Sequence, residues 1–303
     1  MNEKLFDYIA VCPTAFHTCA HSADMLRESG YTELCEARRW EIVSGGKYFV
    51  TRNGSSLIAF RVPAGEIAGF MMTAAHGDSP AFKIKENAEL PDGNYLRLSV
   101  EKYGGMLCAP WLDRPLSVAG RVLVSEGDKL SVKLVDLKDP CAIIPNVAIH
   151  MNRNANDGMS YNAAVDMLPV WMSSEKGSFR AAVAKAAGVA EDAIVTGDLF
   201  LYDPQKGVTL GEYISAPRLD DLECVFATLK GFLAAKDSDA APVFCVFDNE
   251  EVGSGTKQGA KSTFLADTLY RIFHGMNRDY EDYLRTLASS FMLSADNGHA
   301  VHP

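Results

Sequence analysis

The α/β character of the chain is clearest in the stretch VFCVFDNEEVGS, residues 243–254. Its apolar first half is typical of a strand buried on both faces, and two adjacent glutamates come shortly after the apolar residues. Helical spacing predicts helices at Leu219–Ala235, Ser262–Phe273 and Asp279–Ser289, and Phe291–Ser294 is one more strand-like run. Buried strands that alternate with helices indicate a mostly parallel sheet flanked by helices.

The N-terminal part of the chain has the same pattern of helices and strands. Apolar residues at helical spacing predict helices over Asn2–Ala10 and Ala15–Arg27. Three short runs rich in Val, Ile, Phe and Met predict strands with turns between them, at Lys47–Thr51, Leu57–Val62 and Gly69–Ala74.

The middle of the chain differs, because strand-like runs follow one another there with few helical patterns between them. The runs are Tyr95–Glu101, Leu116–Val124 and Leu130–Leu137, and glycine-containing turns separate them. They predict an antiparallel β unit. An Ala-rich helix, Phe179–Gly188, follows later in the sequence.

These patterns predict a discontinuous first domain. The α/β pattern occurs at both ends of the chain, so we predict one α/β domain built from residues 1–84 and 208–303. The β-rich unit at 85–207 is inserted between the two parts. A length of 303 residues suits two domains, since roughly 150 residues per domain is typical.

The composition excludes several classes of partner. The chain has 29 Lys and Arg against 39 Asp and Glu, a formal net charge of −10, whereas nucleic-acid binding needs clustered basic residues. No run approaches the roughly 18 apolar residues that a membrane span requires. The seven cysteines are scattered, which is typical of reduced thiols in a cytoplasmic protein. We therefore predict no nucleic acid, no membrane and a cytoplasmic location.

The first segment with possible chemistry follows the strand predicted at Gly69–Ala74. His76 and Asp78 are two residues apart in an extended segment, so their side chains point to the same side. Asp78 can then fix the tautomer of His76 while the other imidazole nitrogen binds a metal. A polar turn would contain the same residues, so this hypothesis needs support from other segments.

Two acidic pairs lie at the ends of predicted elements. Asp220 and Asp221 open a helix, where such a pair is also typical of helix capping. Glu250 and Glu251 follow the buried strand, and because neighbouring side chains diverge, one can bind a metal while the other acts as a general base. A solvated acidic loop is the alternative interpretation of the second pair.

The last segment with possible chemistry follows the final predicted strand. Asp296 comes after that strand, and His299 and His302 beyond it are ligands, substrate contacts or part of a surface loop. One histidine and several carboxylates at one edge of an α/β sheet suit divalent metal ions. Two ions together with a free glutamate form an arrangement that hydrolyses amide bonds.

Six motifs occur along the chain in the order typical of one protein family. They are HGDSP at 76–80, WLDRPL at 111–116, IPNVAIH at 144–150, APRLDD at 216–221, DNEEVGS at 248–254 and SADNGHA at 294–300. Through these motifs the chain resembles the aspartyl aminopeptidase family of co-catalytic zinc exopeptidases. The resemblance implies an α/β fold of the zinc exopeptidase type with an inserted β-rich dimerisation domain.

The resemblance also implies roles for individual residues. Two zinc ions per subunit would be held by four side chains of these motifs: His76, Asp220, Glu251 and Asp296. Asp220 would bridge the two ions, with His76 and Asp296 on the first ion and Glu251 on the second. Glu250 would be the general base, and Asp78 would support His76.

The substrate and the assembly follow from the same resemblance. Relatives in this family remove an N-terminal Asp or Glu from peptides, and they assemble as dimers grouped into a dodecamer. The resemblance therefore implies a zinc-dependent aminopeptidase that acts on peptides with an acidic N-terminus and self-associates in the same way. His150 would reach from the inserted domain into the neighbouring subunit's site, and His299 would contact the substrate.

Family chains continue beyond the motif that contains Asp296, whereas this sequence ends at Pro303. We expect a shortened version of the family chain, in which the second zinc site lacks its last histidine ligand. Two other functions stay open at this point. One is a neutral aminopeptidase or deacylase with the same zinc pair, and the other is an inactive assembly scaffold with an incomplete metal centre.

Overall fold

The computed structural model describes residues 1–173 and 178–302. The chain divides into two compact units, Met1–Ser79 with Gly207–Pro303 and Pro80–Lys206. The first unit is built from both ends of the chain, and the second is one continuous segment. The domain boundaries that we place after residues 84 and 207 from the sequence stay predictions.

Every helix and strand predicted from the sequence is present, with ends that differ by a few residues. The helices are α1 Asn2–Val11, α2 Ala15–Glu28, α3 Phe179–Ala187, α4 Leu219–Ala234, α5 Phe264–Gly275 and α6 Tyr280–Ala288. The strands are β1 Thr32–Leu34, β2 Lys47–Arg52, β3 Ser56–Arg61, β4 Phe70–His76, β5 Ala81–Asp92, β6 Tyr95–Tyr103, β7 Pro115–Glu126, β8 Lys129–Asp136, β9 Ala142–Ile143, β10 Val170–Ser173, β11 Ile194–Tyr202, β12 Val208–Leu210, β13 Tyr213–Ser215, β14 Ala241–Phe247 and β15 Phe291–Ser294.

The main sheet of the first unit has the strand order β1-β2-β3-β14-β4-β15. The pairs β1–β2, β14–β4 and β4–β15 are parallel, whereas β3 runs antiparallel to both of its neighbours. The α/β class is as predicted, and the sheet is mostly parallel, with β3 as its antiparallel strand. The cause is the short turn between β2 and β3, where Asn53 and Gly54 have φ values of 56° and 66°. So short a connection joins only antiparallel strands.

Helices cover both faces of this sheet. Phe244 and Val246 of β14 pack in one core cluster with apolar residues of α1, α2 and α4. Val243, Cys245 and Phe247 pack in another cluster, with residues of α5 and α6. Successive side chains of a strand point to opposite faces, so a continuous apolar run is buried on both. Fully burying one such Phe or Val contributes about 1.5–3 kcal/mol to folding.

The second unit is a curved antiparallel sheet with the order β11-β5-β6-β10-β9-β7-β8. Strand β7 also pairs with β11, from Val124 opposite Ile194 to Ser117 opposite Tyr202, and this pairing closes the strands into a ring. Its apolar core includes Phe82, Leu98 and Val118. An antiparallel β unit is what the sequence predicts here, whereas a role for it in dimerisation stays a prediction.

Two long strands of this ring, β5 and β11, are not predicted from the sequence. In β5 the register with β6 shifts between Ile84 and Glu89, and the charged residues around this bulge hide the alternation of a strand. Strand β5 also contains Pro91 near its end, and a proline in the sequence is a signal against a strand. The closure of the ring by β11 depends on partners far away in sequence.

No helix within residues 1–173 and 178–302 is long and apolar enough to cross a membrane. The seven cysteines, all of them in the described part of the chain, are free thiols. Burial raises the pKa of the Cys12 and Cys19 thiols to about 12. These two side chains therefore serve as small apolar core residues rather than as nucleophiles.

Candidate metal centre

Three strands of the first sheet end at the edge where the acidic segments begin. In the parallel register of β14 and β4, Phe247 lies opposite His76, and β15 pairs with β4 in the same direction. The carboxyl ends of parallel strands meet at one edge of a sheet, so the segments after β14 and β15 lie beside His76. These segments contain Glu250 and Asp296.

Three carboxylates surround the Nε2 atom of His76. The Oδ1 atom of Asp220 lies 3.3 Å from Nε2, Oδ1 of Asp296 lies at 3.7 Å, and Oε2 of Glu250 lies at 3.9 Å. The His76 side chain is only 5% exposed, whereas the three carboxylates are about half exposed. The structure therefore brings these predicted site residues together, with the imidazole at the base of a solvent-accessible acidic cluster.

The other nitrogen of His76 faces Asp78. The His76 Nδ1 atom lies 3.1 Å from the carbonyl oxygen of Asp78 and 3.4 Å from its Oδ1. The Asp78 carboxylate, 4% exposed, accepts hydrogen bonds from the backbone N–H groups of Glu250 at 3.1 Å and Glu251 at 3.2 Å. Asp78 thus contacts both the imidazole and the turn that carries the two glutamates.

Asp221 is a further member of the cluster, which the sequence analysis does not select. It is fully buried, and its Oδ2 accepts a hydrogen bond from the backbone N–H of His76 at 3.1 Å. Its Oδ1 is buried and accepts no hydrogen bond within the described part of the chain. The Asp-Asp pair is the sequence signal for this residue. The backbone is non-helical at both Asp220 and Asp221, so neither follows the geometry of a regular helix start.

The ligand atoms form two groups. One atom each of His76, Glu250 and Glu251 lie within 4.8 Å of one another, and so do atoms of His76, Asp221 and Asp296. With Asp220 beside His76 Nε2, every metal ligand predicted from the sequence belongs to this one cluster. Their assignment to particular ions stays a prediction.

The charges of the cluster are poorly balanced. Burial lowers the pKa of His76, but the hydrogen bond and charge of Asp78 and the charges of Asp221 and Asp220 outweigh it and raise the pKa to about 9. Burial raises the pKa of Glu251 to about 7. His76 opposes that effect, while neighbouring carboxylates, chiefly Asp220, add to it. Burial also raises the pKa of Asp221, to about 6.

This donor set fits a divalent metal ion. A histidine nitrogen and several carboxylate oxygens are the ligands that zinc accepts. A divalent ion would offset the repulsion between the carboxylates. It would also occupy the lone pairs of the buried Asp221 Oδ1, which accepts no hydrogen bond from the described residues.

The two histidines predicted to contact substrate lie outside this cluster of donors. His150 belongs to the second unit and is exposed in a turn. His299 is exposed in the segment after β15, and neither donor group of the described residues includes it. Their roles stay predictions.

Asn297 is another residue that the sequence analysis does not select. Its Nδ2 donates to the carbonyl oxygen of Leu219 at 3.0 Å, and its Oδ1 accepts from the Cys224 thiol at 3.0 Å. These contacts tie the segment with Asp296 to the first turns of α4, next to Asp220. The position of Asn297 directly after an acidic candidate was the available signal.

The model of one protein family, described as aminopeptidase I zinc metalloprotease (M18), matches residues 8–303. The chain belongs to the M18 family. M18 proteins are zinc-dependent aminopeptidases, so the predicted family and enzyme class are confirmed.

Known M18 proteins resemble the chain over nearly its whole length. A probable M18 family aminopeptidase 2 of Clostridium acetobutylicum is 45% identical over 314 residues, which cover 99% of this chain and 72% of the relative. The structure solved as the Ape4 and Nbr1 complex has a TM-score of 0.94 and 31% identity, covering 100% of this chain and 64% of that one. The mApe1 dodecamer of S. cerevisiae has a TM-score of 0.85 and 29% identity, with 100% and 72% covered.

Proposed function

We propose that this chain is a metalloaminopeptidase that removes an acidic residue, Asp or Glu, from the N-terminus of peptides with the help of two zinc ions. The observation that carries the proposal is the buried His76 imidazole with carboxylates of Asp220, Asp296 and Glu250 within 4 Å of its Nε2. M18 membership supports zinc and aminopeptidase chemistry.

The proposed ligands are those that surround His76. We propose that Asp220 would serve both ions, as the resemblance of its motif implies; its carboxylate is the one nearest to Nε2 of His76 and is half exposed. His76 and Asp296 would complete the first ion and Glu251 the second. Asp221 is the competing ligand, since one of its carboxylate oxygens lies in the group with His76 and Asp296, and its Oδ1 accepts no hydrogen bond from the described residues.

When bound, zinc supplies Lewis acidity, which polarises the scissile carbonyl group and makes water more acidic. The residues of the chain do the remaining work. Glu250 is half exposed and can take a proton from the attacking water and deliver it to the leaving amine. Asp78 keeps the proton of His76 on Nδ1, so that Nε2 is free to bind metal.

The preference for acidic residues is supported by the resemblance of the six motifs to aspartyl aminopeptidases. Assaying the protein with Asp-, Glu-, Leu- and Ala-anilides side by side tests it. We expect zinc-dependent release of Asp and Glu to exceed that of Leu and Ala. A preference for Leu or Ala would instead establish the neutral aminopeptidase. Cleavage of acylated amino acids alone would indicate a deacylase.

The inactive scaffold is tested by metal analysis of the same protein. We expect two zinc ions per subunit, held by the donors around His76. Less than one zinc ion per subunit without hydrolysis of any anilide would contradict the enzymatic proposal and favour the scaffold. The two outcomes differ because the cluster of donors either holds metal or contributes only to the fold.

We also propose self-association, as dimers grouped into a dodecamer. The solved mApe1 of S. cerevisiae, which resembles this chain, is described as a dodecamer. His150 is exposed on the second unit, as a residue that serves a partner's site must be. Sedimentation of the protein tests the assembly, and a monomer at micromolar concentration would contradict it. The seven free thiols support the proposed cytoplasmic location, since disulfides are rare in reducing compartments.

A further inference from the structure

The turn that carries Glu250 and Glu251 is held from two sides. On one side, Asp78 accepts hydrogen bonds from the backbone N–H groups of both glutamates. On the other side, the turn is held by Asn249, which has no role in the metal centre described above. The backbone of the two glutamates is therefore held between these two anchors.

Asn249 makes an unusually dense set of hydrogen bonds. Its side-chain Oδ1 accepts from Oγ1 of Thr256 at 2.7 Å and from Nε2 of Gln258 at 2.9 Å. Its carbonyl oxygen accepts from the backbone N–H of Ser254 at 2.7 Å. Its own N–H donates to Oδ1 of Asp248 at 2.7 Å. The residue just before the glutamates is therefore tied to the loop that follows them.

The backbone of Asn249 is in the left-handed region, with φ 63° and ψ 26°. Residues other than glycine rarely adopt this conformation, and asparagine tolerates it better than most. The left-handed residue turns the chain sharply between the end of β14 and the short helical turn Glu250–Val252. A sharp turn there lets Glu250 and Glu251 face His76 instead of continuing along the strand.

The loop that holds Asn249 is itself anchored to the rigid sheet. Oγ of Ser56, at the start of β3, donates to the carbonyl oxygen of Gln258 at 2.7 Å. The guanidinium of Arg52, at the end of β2, donates to the carbonyl oxygen of Lys257 at 3.3 Å. The hydrogen bonds thus run from the β2–β3 hairpin through the loop to Asn249, which directly precedes Glu250 in the chain.

We propose that Asn249 is a positioning residue for the metal centre: its carboxamide oxygen, held by Thr256 and Gln258, fixes the Glu250–Glu251 turn in the orientation that presents both carboxylates to His76. Asn249 touches neither metal nor substrate in this role and acts through the two glutamates. The inference rests on the proposed function, since it assigns Glu251 to a metal ion and Glu250 to the proton transfer.

The test compares zinc affinity and backbone exchange in variants of this anchor. Asn249→Gly removes the carboxamide but keeps the left-handed backbone accessible. Thr256→Val removes one donor to the carboxamide, and Thr256→Ser keeps the hydroxyl as the matched control. Zinc affinity is measured by chelator competition, and hydrogen exchange of the Glu250 and Glu251 amides is measured on metal-free protein.

We expect Asn249→Gly to weaken zinc binding roughly 10–100-fold, as loss of a residue that orients a ligand does. Thr256→Val should weaken zinc binding roughly 10-fold, at the lower end of that range. Thr256→Ser should bind zinc like the unmodified protein. The Glu250 and Glu251 amides should exchange faster in Asn249→Gly. If this variant loses thermal stability but keeps zinc affinity and amide exchange, the positioning role is wrong.

Two further results separate this inference from the proposed function. If Asn249→Gly does not fold, the double variant Thr256→Val/Gln258→Leu removes both donors instead, and unchanged zinc affinity and exchange in it overturn the positioning role. If the unmodified protein binds no zinc, the proposed function is wrong. The exchange of the two amides in metal-free protein then decides alone whether Asn249 orders the turn.

Discussion

Carboxylates in the two units have opposite electrostatic surroundings. In the second unit, Asp198 lies 2.9 Å from Nζ of Lys83 and 3.0 Å from Nη2 of Arg121. Burial raises the pKa of Asp198, but the hydrogen bonds and charges of these two cations outweigh burial and lower it. In the first unit, burial raises the pKa of Glu251 to about 7, and neighbouring carboxylates add to that rise.

The comparison distinguishes a carboxylate that stabilises the fold from a group of carboxylates whose mutual repulsion lowers the stability of the fold. Asp198 has cations of the protein itself as partners, so its charge contributes to stability. The carboxylates around His76 repel one another, and such clusters are typical of functional sites. Substitutions at the sheet edge should therefore reduce activity or zinc binding, whereas substitution of Asp198 should reduce stability and leave zinc binding unchanged.

Glu250→Gln is expected to have the largest effect. The amide cannot accept the proton of the attacking water, so kcat should fall roughly 10²–10⁴-fold while zinc content is kept. Steady-state kinetics with the best anilide and metal analysis check this expectation. Glu281→Gln, an exposed position on α6, is the control and should keep full activity. Activity that survives in Glu250→Gln would show that another group is the base.

Asp220→Asn is expected to release zinc, and Asp221→Asn tests the competing assignment. An amide is a poorer ligand than a carboxylate, and a bridging ligand serves both ions. Loss of the bridging carboxylate should therefore lower zinc affinity by more than the roughly 100-fold that removal of a supporting partner causes. Zinc stoichiometry after dialysis distinguishes the two variants. Unchanged zinc in Asp220→Asn together with loss in Asp221→Asn would assign the bridge to Asp221.

Asp78→Asn should have an intermediate effect. The substitution removes the carboxylate that lies 3.4 Å from Nδ1 of His76 and accepts two backbone hydrogen bonds from the glutamate turn. Zinc affinity should fall roughly 10–100-fold, since partners that orient a ligand contribute that much. Chelator competition measures the change. An affinity equal to that of the unmodified protein would contradict the supporting role of Asp78.

Asp198→Asn is expected to have the smallest effect and only on stability. Loss of its charged hydrogen bonds should lower the free energy of unfolding at pH 7 by about 1–2 kcal/mol, reduced by partial exposure to solvent. The native pKa of Asp198 lies below its unfolded value, about 3.9. The charge therefore makes its full contribution to the free energy of unfolding above the unfolded pKa. This contribution is lost as the pH falls through the native pKa.

Urea unfolding at pH 7 and near pH 3 measures this dependence. The difference in unfolding free energy between Asp198→Asn and the unmodified protein should shrink at the lower pH. Asp192→Asn, at an exposed position of the same unit, is the control and should change little at either pH. A loss of zinc in Asp198→Asn would break the proposed separation between the two kinds of carboxylate.

The sequence was sufficient to select most of the acidic cluster. His76, Glu250 and Asp296 each come just after an apolar run, and the ends of parallel strands meet at one edge of a sheet. The rule needs no knowledge of side-chain geometry, so it succeeds from pattern alone. It fails for Asp221, because two adjacent aspartates are equivalent in a pattern, and only the fold distinguishes them by burying Asp221 fully while Asp220 stays half exposed.

What the sequence determined by itself is local: the periodicity of each helix and strand, the apolar β14, and the order of the six motifs. These depend on residues near one another in the chain. Only the tertiary structure decided the pairing of β3 with β14, the closure of the ring by β7 and β11, and the contacts of Asn249 with Thr256 and Gln258. Pairing and hydrogen bonding between side chains depend on distances that are set by packing of the whole unit, which no local pattern contains.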